Sequence, residues 1–260
     1  MGKNKLRKFS ELSEIDFVYQ YPYARLAAEG FPMRGRWREV FGNDNPIVLE
    51  LGCGKGEYTV GLARLDPSRN YIGIDIKGAR MHTGAMAARR EGLHNVAFVR
   101  TSIELLERFF APGEVSDIWV TFPDPQMRKA NKRLTGTRFC SMYRRVAAPG
   151  CMLRLKTDSP FLYTYTERMA RENGLHIVAA TSDLYADGSA EAMPWLGIRT
   201  HYEQQWLDRG LSIKYLAFSL DGADALSEPD TEDIQPDTYR SYSRGYIQMP
   251  QLFDDKNQNY

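Results

Sequence analysis

The sequence predicts an α/β protein with a doubly wound, mostly parallel sheet of seven strands, on three observations. Short apolar runs of strand length recur between residues 46 and 220. Segments of helical periodicity lie between them. Glycines or carboxylates follow several of the runs directly.

IVLELG (47–52) is an apolar run closing on glycine, the pattern of a parallel strand buried on both faces. GEYTVGLARLD follows, with Tyr58, Leu62 and Leu65 on one side and Pro67 beyond the stop. NYIGID (70–75) is a second strand, and KGARMHTGAMAARREG a helix closed by Gly92. NVAFVRT (95–101), the short helix SIELLERFF and DIWVTF (117–122) continue the alternation up to Pro123. TRFCSMYRRVA (137–147) reads as a helix stopped by Pro149-Gly150, and CMLRLKTD (151–158) as the fifth strand. FLYTYTERMARENG is a helix ending at Gly174; HIVAATSDL and IKYLAFSL (213–220) are two further strands. Sheets of this kind bind ligands beyond the carboxyl ends of their strands, near the topological switch point. The residues just after each strand are therefore the candidates for chemistry.

The 260 residues suit one large domain with short extensions. No apolar run approaches the roughly 20 residues that cross a bilayer, and MGKNKLRKFSELSE lacks the apolar core of a secretory signal. Cys53, Cys140 and Cys151 form no CxxC pair, and the four histidines show no ligand spacing with them. The expectation is no metal, no disulfide framework and a reducing compartment. Net charge is only +1, but residues 221–260 hold 9 Asp/Glu against 3 Lys/Arg, leaving the first 220 residues basic. Three regions follow: a basic N-terminal arm (1–45), a body (46–220) and an acidic extension (221–260). Lys3, Lys5, Arg7, Lys8, Arg34, Arg36 and Arg38 mark the arm. The extension could shield the basic face until a polyanion competes it away.

Two strand ends suggest a cofactor. The first strand runs into Glu50-Leu51-Gly52-Cys53-Gly54-Lys55-Gly56, where glycine lets the backbone turn sharply and approach a ligand. The second ends at Asp75, whose carboxylate can accept both hydrogen bonds of a ribose diol. This geometry also suits a nicotinamide dinucleotide, but the loop is GxGxG rather than GxGxxG. The glutamate two residues before the first glycine is similar to the ExGxGxG loop of class I methyltransferases, which bind S-adenosyl-L-methionine. Ser102, after the third strand, suits either an adenine contact or a helix N-cap.

The fourth strand leads into Thr121-Phe122-Pro123-Asp124-Pro125, where two prolines brace one carboxylate. Residues 126–145 then hold Arg128, Lys129, Lys132, Arg133, Arg138, Arg144 and Arg145 with no acid. Beside a cofactor such a run suits phosphates. Lys156-Thr157-Asp158 returns a carboxylate to the same edge.

The Glu50–Gly56 loop, Pro123–Pro125, the basic loop to Leu134-Thr135, Lys156–Asp158 and Thr200-His201-Tyr202-Glu203, with Trp206 and Gly210, together resemble the bacterial tRNA (guanine-N7)-methyltransferase family. The resemblance spans residues 45–220. It implies a Rossmann-like class I methyltransferase fold, S-adenosyl-L-methionine as cofactor, tRNA as substrate with its target in the variable loop, and a cytoplasmic monomer or homodimer. It implies that Glu50 and Asp75 bind the cofactor, beside the strand-end candidates Gly52, Gly54, Gly56 and Ser102, and that Asp124 sits at the cofactor–guanine junction as the catalytic carboxylate. Arg128 or Lys129, Asp158, Thr200, His201, Tyr202 and Glu203 would bind substrate. The chain departs from the family at Gln126, where an aromatic is usual, at Ser102, where an aspartate is common, and in a shorter basic loop. Phe122, Tyr202 and Trp206 suit base stacking or core packing. Two other classes remain open at this point: a methyltransferase of another substrate, and a nicotinamide oxidoreductase.

Overall fold

A computed structural model describes residues 3–222 and 225–239; Met1, Gly2 and most of the acidic extension, 240–260, lie outside it. The helices are α1 (Lys3–Ser13), α2 (Tyr23–Glu29), α3 (Trp37–Phe41), α4 (Glu57–Leu65), α5 (Gly78–Glu91), α6 (Leu106–Phe109), α7 (Thr137–Arg144), α8 (Pro160–Glu172), α9 (Ser189–Ala192) and α10 (His201–Leu207). The strands are β1 (Val18–Gln20), β2 (Ile47–Leu51), β3 (Asn70–Asp75), β4 (Val96–Arg100), β5 (Val115–Thr121), β6 (Ala147–Thr157), β7 (Ile177–Thr181) and β8 (Lys214–Ser219). They form one sheet in the order β1-β4-β3-β2-β5-β6-β8-β7. Every pairing is parallel except those of β8, which runs antiparallel between β6 and β7.

All seven expected strands are present, and the eighth, β1, comes from the arm. It adds an edge to β4 with Val18 level with Phe98. Three residues are too few to show alternation in a sequence. β6 begins four residues early, at Ala147, and runs through the exposed Pro149 and Gly150. The β5–β6 register shifts between Val115 and Asp117, so the proline lies where ladder bonds are already interrupted. SIELLERFF divides into a single 3₁₀ turn, Ile103–Leu105, and the short α6.

Alternation along the strands splits the core in two. Leu49, Leu51, Ile72, Ile74, Val99, Ile118 and Leu155 face α6, α7 and α8, while Val48, Tyr71, Phe98, Trp119 and Tyr215 face α1, α4 and α5. The arm belongs to this core. Leu12 and Ile15 of the α1 region are buried on the second face, and α1 lies on α5 with His82 Nε2 2.5 Å from Glu11. Trp37 is fully buried, donates from Nε1 to the Phe109 carbonyl at 3.1 Å, and meets Tyr19, Phe31 and Phe110 with ring centroids 5.4–5.5 Å away. Arg34 and Arg36 are exposed, Arg34 donating to the Glu107 carbonyl at 2.8 Å and Arg36 pairing with Glu39 at 2.6 Å. The aromatic and aliphatic residues of the arm are thus part of the core; the side chains of Lys3 and Lys5 lie outside the described residues.

Trp37→Ala should cost about 3–5 kcal/mol, since it empties an aromatic cluster and orphans a buried carbonyl. Urea unfolding followed by far-UV dichroism measures this; a loss under 1 kcal/mol would show the arm to be dispensable to the fold.

Candidate active site

From β2 the chain moves outward through β3 to β4 and then returns to β5 on the other side of β2, so the switch point lies between β2 and β5. Leu51 is level with Val120, and Thr121 with Lys156. The glycine turn, the Pro123–Pro125 turn and Asp158 thus leave three adjacent parallel strands at nearly one height.

Gly52, Gly54 and Gly56 all have positive φ (77°, 55° and 70°), the left-handed region that disfavours a Cβ. They do different work. A Cβ on Gly52 would meet nothing within 4 Å, so the backbone there is laid bare to the crevice. A Cβ on Gly56 would come within 2.8 Å of the Phe98 ring and 3.2 Å of Gly84 Cα, so that glycine allows α4 to close on α5. Asp75 shapes the turn by accepting from Gly54 N–H (2.9 Å) and from Lys77 N–H (2.7 Å). An open backbone beside a carboxylate at the next strand end fits a ribose-bearing sulfonium such as S-adenosyl-L-methionine. Ser102 caps no helix; its hydroxyl donates to Glu104 at 2.8 Å.

Glu50 lies deeper than its neighbours, at 2% exposure. Its carboxylate accepts from the Thr59 amide (2.8 Å) and hydroxyl and from the Thr121 hydroxyl (2.7 Å), joining β2 to α4 and β5. Burial pushes its pKa up from 4.5 to about 7 against those hydrogen bonds. The side chain supports the turn from behind.

The Asp124 turn is strained on both sides. Phe122 (φ 49°) and Gln126 (φ 47°) are the non-glycine residues with positive φ among those described. Phe122 is tied to β6 by its amide on the Lys156 carbonyl (2.8 Å), and Gln126 N–H donates to Asp124 Oδ1 (3.0 Å). Asp124 itself is exposed. No donor to its Oδ2 is found among the described residues.

The basic run divides once folded. Arg128, Lys129 and Lys132 are exposed and make no side-chain hydrogen bond or ion pair among the described residues. Arg133 is 2% exposed, lies 4.2 Å from the Tyr165 ring centroid and donates to the Gln126 and Met127 carbonyls. Arg138 pairs with Glu104, Arg145 with Glu107, and Arg144 donates to the Leu220 carbonyl. Of the seven expected cations, Arg128, Lys129 and Lys132 form an exposed loop, Arg138 and Arg145 are exposed but ion-paired, and Arg133 and Arg144 are fastened to carbonyls of the chain.

The Thr200–Glu203 stretch is held from within. Thr200 and Glu203 form a reciprocal capping box at the start of α10. Glu203 is fully buried, accepts from Tyr185 (2.7 Å) and pairs with Lys156 at 2.7 Å. Lys156 also donates to the Leu196 and Ile198 carbonyls. His201 N–H donates to Glu57 Oε2 at 3.0 Å, and Arg80 stands 5.8 Å from the half-buried Tyr202 ring. Asp158 is 1% exposed and accepts from Tyr239 at 2.7 Å. The carboxylates of Asp158 and Glu203 therefore lie beneath the surface, while His201 and Tyr202 reach it. Tyr185, Asp237 and Tyr239 have structural parts here that sequence patterns did not single out, and Lys156, named only within its strand-end motif, has one too.

The antiparallel β8 between β6 and β7 sets this sheet apart from an all-parallel dinucleotide-binding one, and with that strand order the fold is that of a class I methyltransferase. The 16S rRNA methyltransferase KamB superposes with a TM-score of 0.54 at 16% identity, over 71% of this chain and 92% of that one. An antibiotic-related methyltransferase gives 0.53 at 18% identity, over the same shares. Residues 44–216 match the Methyltransf_4 family model, described as "Putative methyltransferase". The tRNA (guanine-N(7)-)-methyltransferase of Porphyromonas gingivalis is 61% identical, over 87% of this chain and 94% of its own. That of Bacteroides fragilis is 56% identical, over 94% and 96%. The chain belongs to the tRNA (guanine-N7)-methyltransferase family.

The Glu50 environment makes a signed pH prediction. Its folded pKa is raised, so its contribution to stability is full below about 4.5 and is lost as pH rises through about 7. The stability difference between wild type and Glu50→Gln should therefore drift against the wild type over that window, by on the order of 3 kcal/mol. Urea midpoints taken at several pH values read it; a pH-independent difference would mean that Glu50 stays ionised.

Proposed function

We propose that this chain transfers the methyl group of S-adenosyl-L-methionine to N7 of a guanine in tRNA, in the variable loop, and does so in the cytoplasm. One observation carries the site assignment: the glycine turn and the Asp124 turn leave neighbouring strands from level positions, Leu51 beside Val120. Cofactor and acceptor base can then meet across a single strand spacing of about 4.8 Å.

The backbone of Gly52 and Gly54 and the carboxylate of Asp75 would hold the cofactor, with Glu50 fixing the turn from behind and Ser102 at the rim. Bound there, it supplies an electrophilic methyl group on a sulfonium. Guanine N7 carries an in-plane lone pair and needs no deprotonation, so the protein's task is alignment. Asp124 would accept from a guanine N–H through Oδ2 while Gln126 N–H steadies Oδ1. The methylated base is cationic, and a nearby carboxylate favours that developing charge. Arg128, Lys129 and Lys132 would meet phosphates, and His201 and Tyr202 would lie along the nucleotide. Thr200 and Glu203 would hold that stretch in place through the capping box and Lys156.

Incubation with labelled S-adenosyl-L-methionine and bulk tRNA, followed by mass spectrometry of nucleosides, should yield 7-methylguanosine. Label in another nucleoside, or none, would reject the reading. Asp124→Ala should lower kcat about a hundredfold or more while leaving cofactor affinity within about twofold. Full turnover would remove Asp124 from the chemistry. Replacing Arg128, Lys129 and Lys132 together with glutamine should weaken tRNA binding and reduce the slope of log K against log salt by about two to three. An unchanged slope would place the phosphates elsewhere.

A further inference from the structure

The described part of the acidic extension follows a definite course. Ser227 exchanges two hydrogen bonds with Asn173 just past the C-terminal end of α8, its N–H donating at 2.7 Å and its carbonyl accepting at 2.9 Å. Glu228 accepts from Thr137 and Tyr165, both at 2.6 Å. Asp233 takes both arms of Arg168, at 2.5 and 2.7 Å. Asp237, 6% exposed, sits at the start of α8, accepting from the Ser159 hydroxyl and from Phe161 N–H at 3.1 Å. Its own amide faces Met127 Sδ at 3.1 Å, in the loop beyond Asp124. Glu228, Asp233 and Asp237 therefore serve α8 and its surroundings, and no acid of this stretch is paired with Arg128, Lys129 or Lys132 among the described residues.

At Tyr239 this stretch reaches the candidate site. The Tyr239 hydroxyl donates to Asp158 Oδ2, and its carbonyl accepts from Arg209 at 3.3 Å. Its ring stands edge-on to Trp206, with centroids 5.5 Å apart, and the Arg209 guanidinium lies 4.8 Å from the Trp206 ring. Both aromatics are half-buried and Arg209 is exposed. Asp158 follows β6 as Pro123 follows β5, at matching height, so this cluster adjoins the Asp124 turn. With Oδ2 occupied and 1% of its surface open, Asp158 offers a nucleotide little.

We propose that Tyr239 is a substrate-binding residue supplied by the extension, its ring presented with Trp206 and Arg209 to a tRNA nucleotide flanking the target guanine, and that Asp158 is the positioning residue that tethers its hydroxyl. The proposal rests on the tRNA reading above. An aromatic pair beside an exposed cation suits an unstacked base and its phosphate, since base–aromatic stacking is worth a substantial share of single-strand affinity.

The test uses the full chain with tRNA and S-adenosyl-L-methionine. Tyr239→Ala should raise KM for tRNA about tenfold, with cofactor Kd within about twofold and Tm nearly unchanged. Tyr239→Phe and Asp158→Asn should each raise KM about threefold, and the double variant should be no worse than either single one, because they remove one tether. Tyr239→Trp should recover most of what alanine loses. Wild-type kinetics in Tyr239→Ala would overturn the proposal, as would a parallel loss of cofactor affinity and Tm, which would mark a structural role. Faster turnover would overturn it too, by showing a displaceable cover. Additive losses in the double variant would break the link to Asp158. A wild type that methylates no tRNA would defeat the functional reading and this proposal with it, whereas an active wild type with an inert Tyr239 would defeat only the proposal.

Discussion

One buried ammonium organises the acceptor side of this molecule. Lys156 has no exposed surface, and its three donors go to the Leu196 and Ile198 carbonyls and the Glu203 carboxylate. An unpaired charge at that depth would cost several kcal/mol, so the segment from Leu196 to Glu203 must stay where it is for β6 to keep its lysine. Burial pulls the Lys156 pKa down, and the Glu203 carboxylate works against that pull. Through this contact the start of α10 is fixed to the centre of the sheet. The Glu57 carboxylate then joins α10 to the first turn of α4. The helix that follows the glycine turn and the stretch at Thr200 are thereby joined directly, although they are remote in sequence.

The opposite side is governed by backbone conformation. Asp75 satisfies an amide of the glycine turn, Glu50 braces it from below, and Phe122 and Gln126 hold left-handed conformations around Asp124. Such conformations persist only where neighbours fix them. Here the fixing comes from the Phe122 amide on β6 and from the Asp124 carboxylate on Gln126. The donor that Gln126 supplies to this turn is its backbone amide.

The sequence made the central strands legible because β2 and β3 are buried on both faces. Short, continuous apolar runs such as 47–51 and 70–75 suit little besides a strand covered on both sides. The strand-end residues were legible for a topological reason, since a parallel sheet puts all its ligand-facing loops on one edge. Contacts that depend on distant partners were not. Arg133 reads as one more cation in a basic run, yet it is buried against Tyr165 because α8 crosses there. Glu203 reads as a nucleotide contact, and only the fold shows it facing Lys156. Trp37 and β1 lie in a stretch whose charges mark it as a basic arm, while its aromatics decide its place.

The insertion of β8 between β6 and β7 also acts as a ruler. Because β8 is antiparallel, Ser219 is level with Met152, at the end of the sheet away from the ligand-facing loops. Any later residue that returns must travel the length of α8, 13 residues or about 20 Å. Even fully extended chain needs about six residues for that distance, and the path taken here, stopping at Asn173, Arg168 and Ser159, spends more. Evolution could trim the stretch between those stops, but a chain ending just after the last strand would leave the Trp206 ring without the Tyr239 ring beside it.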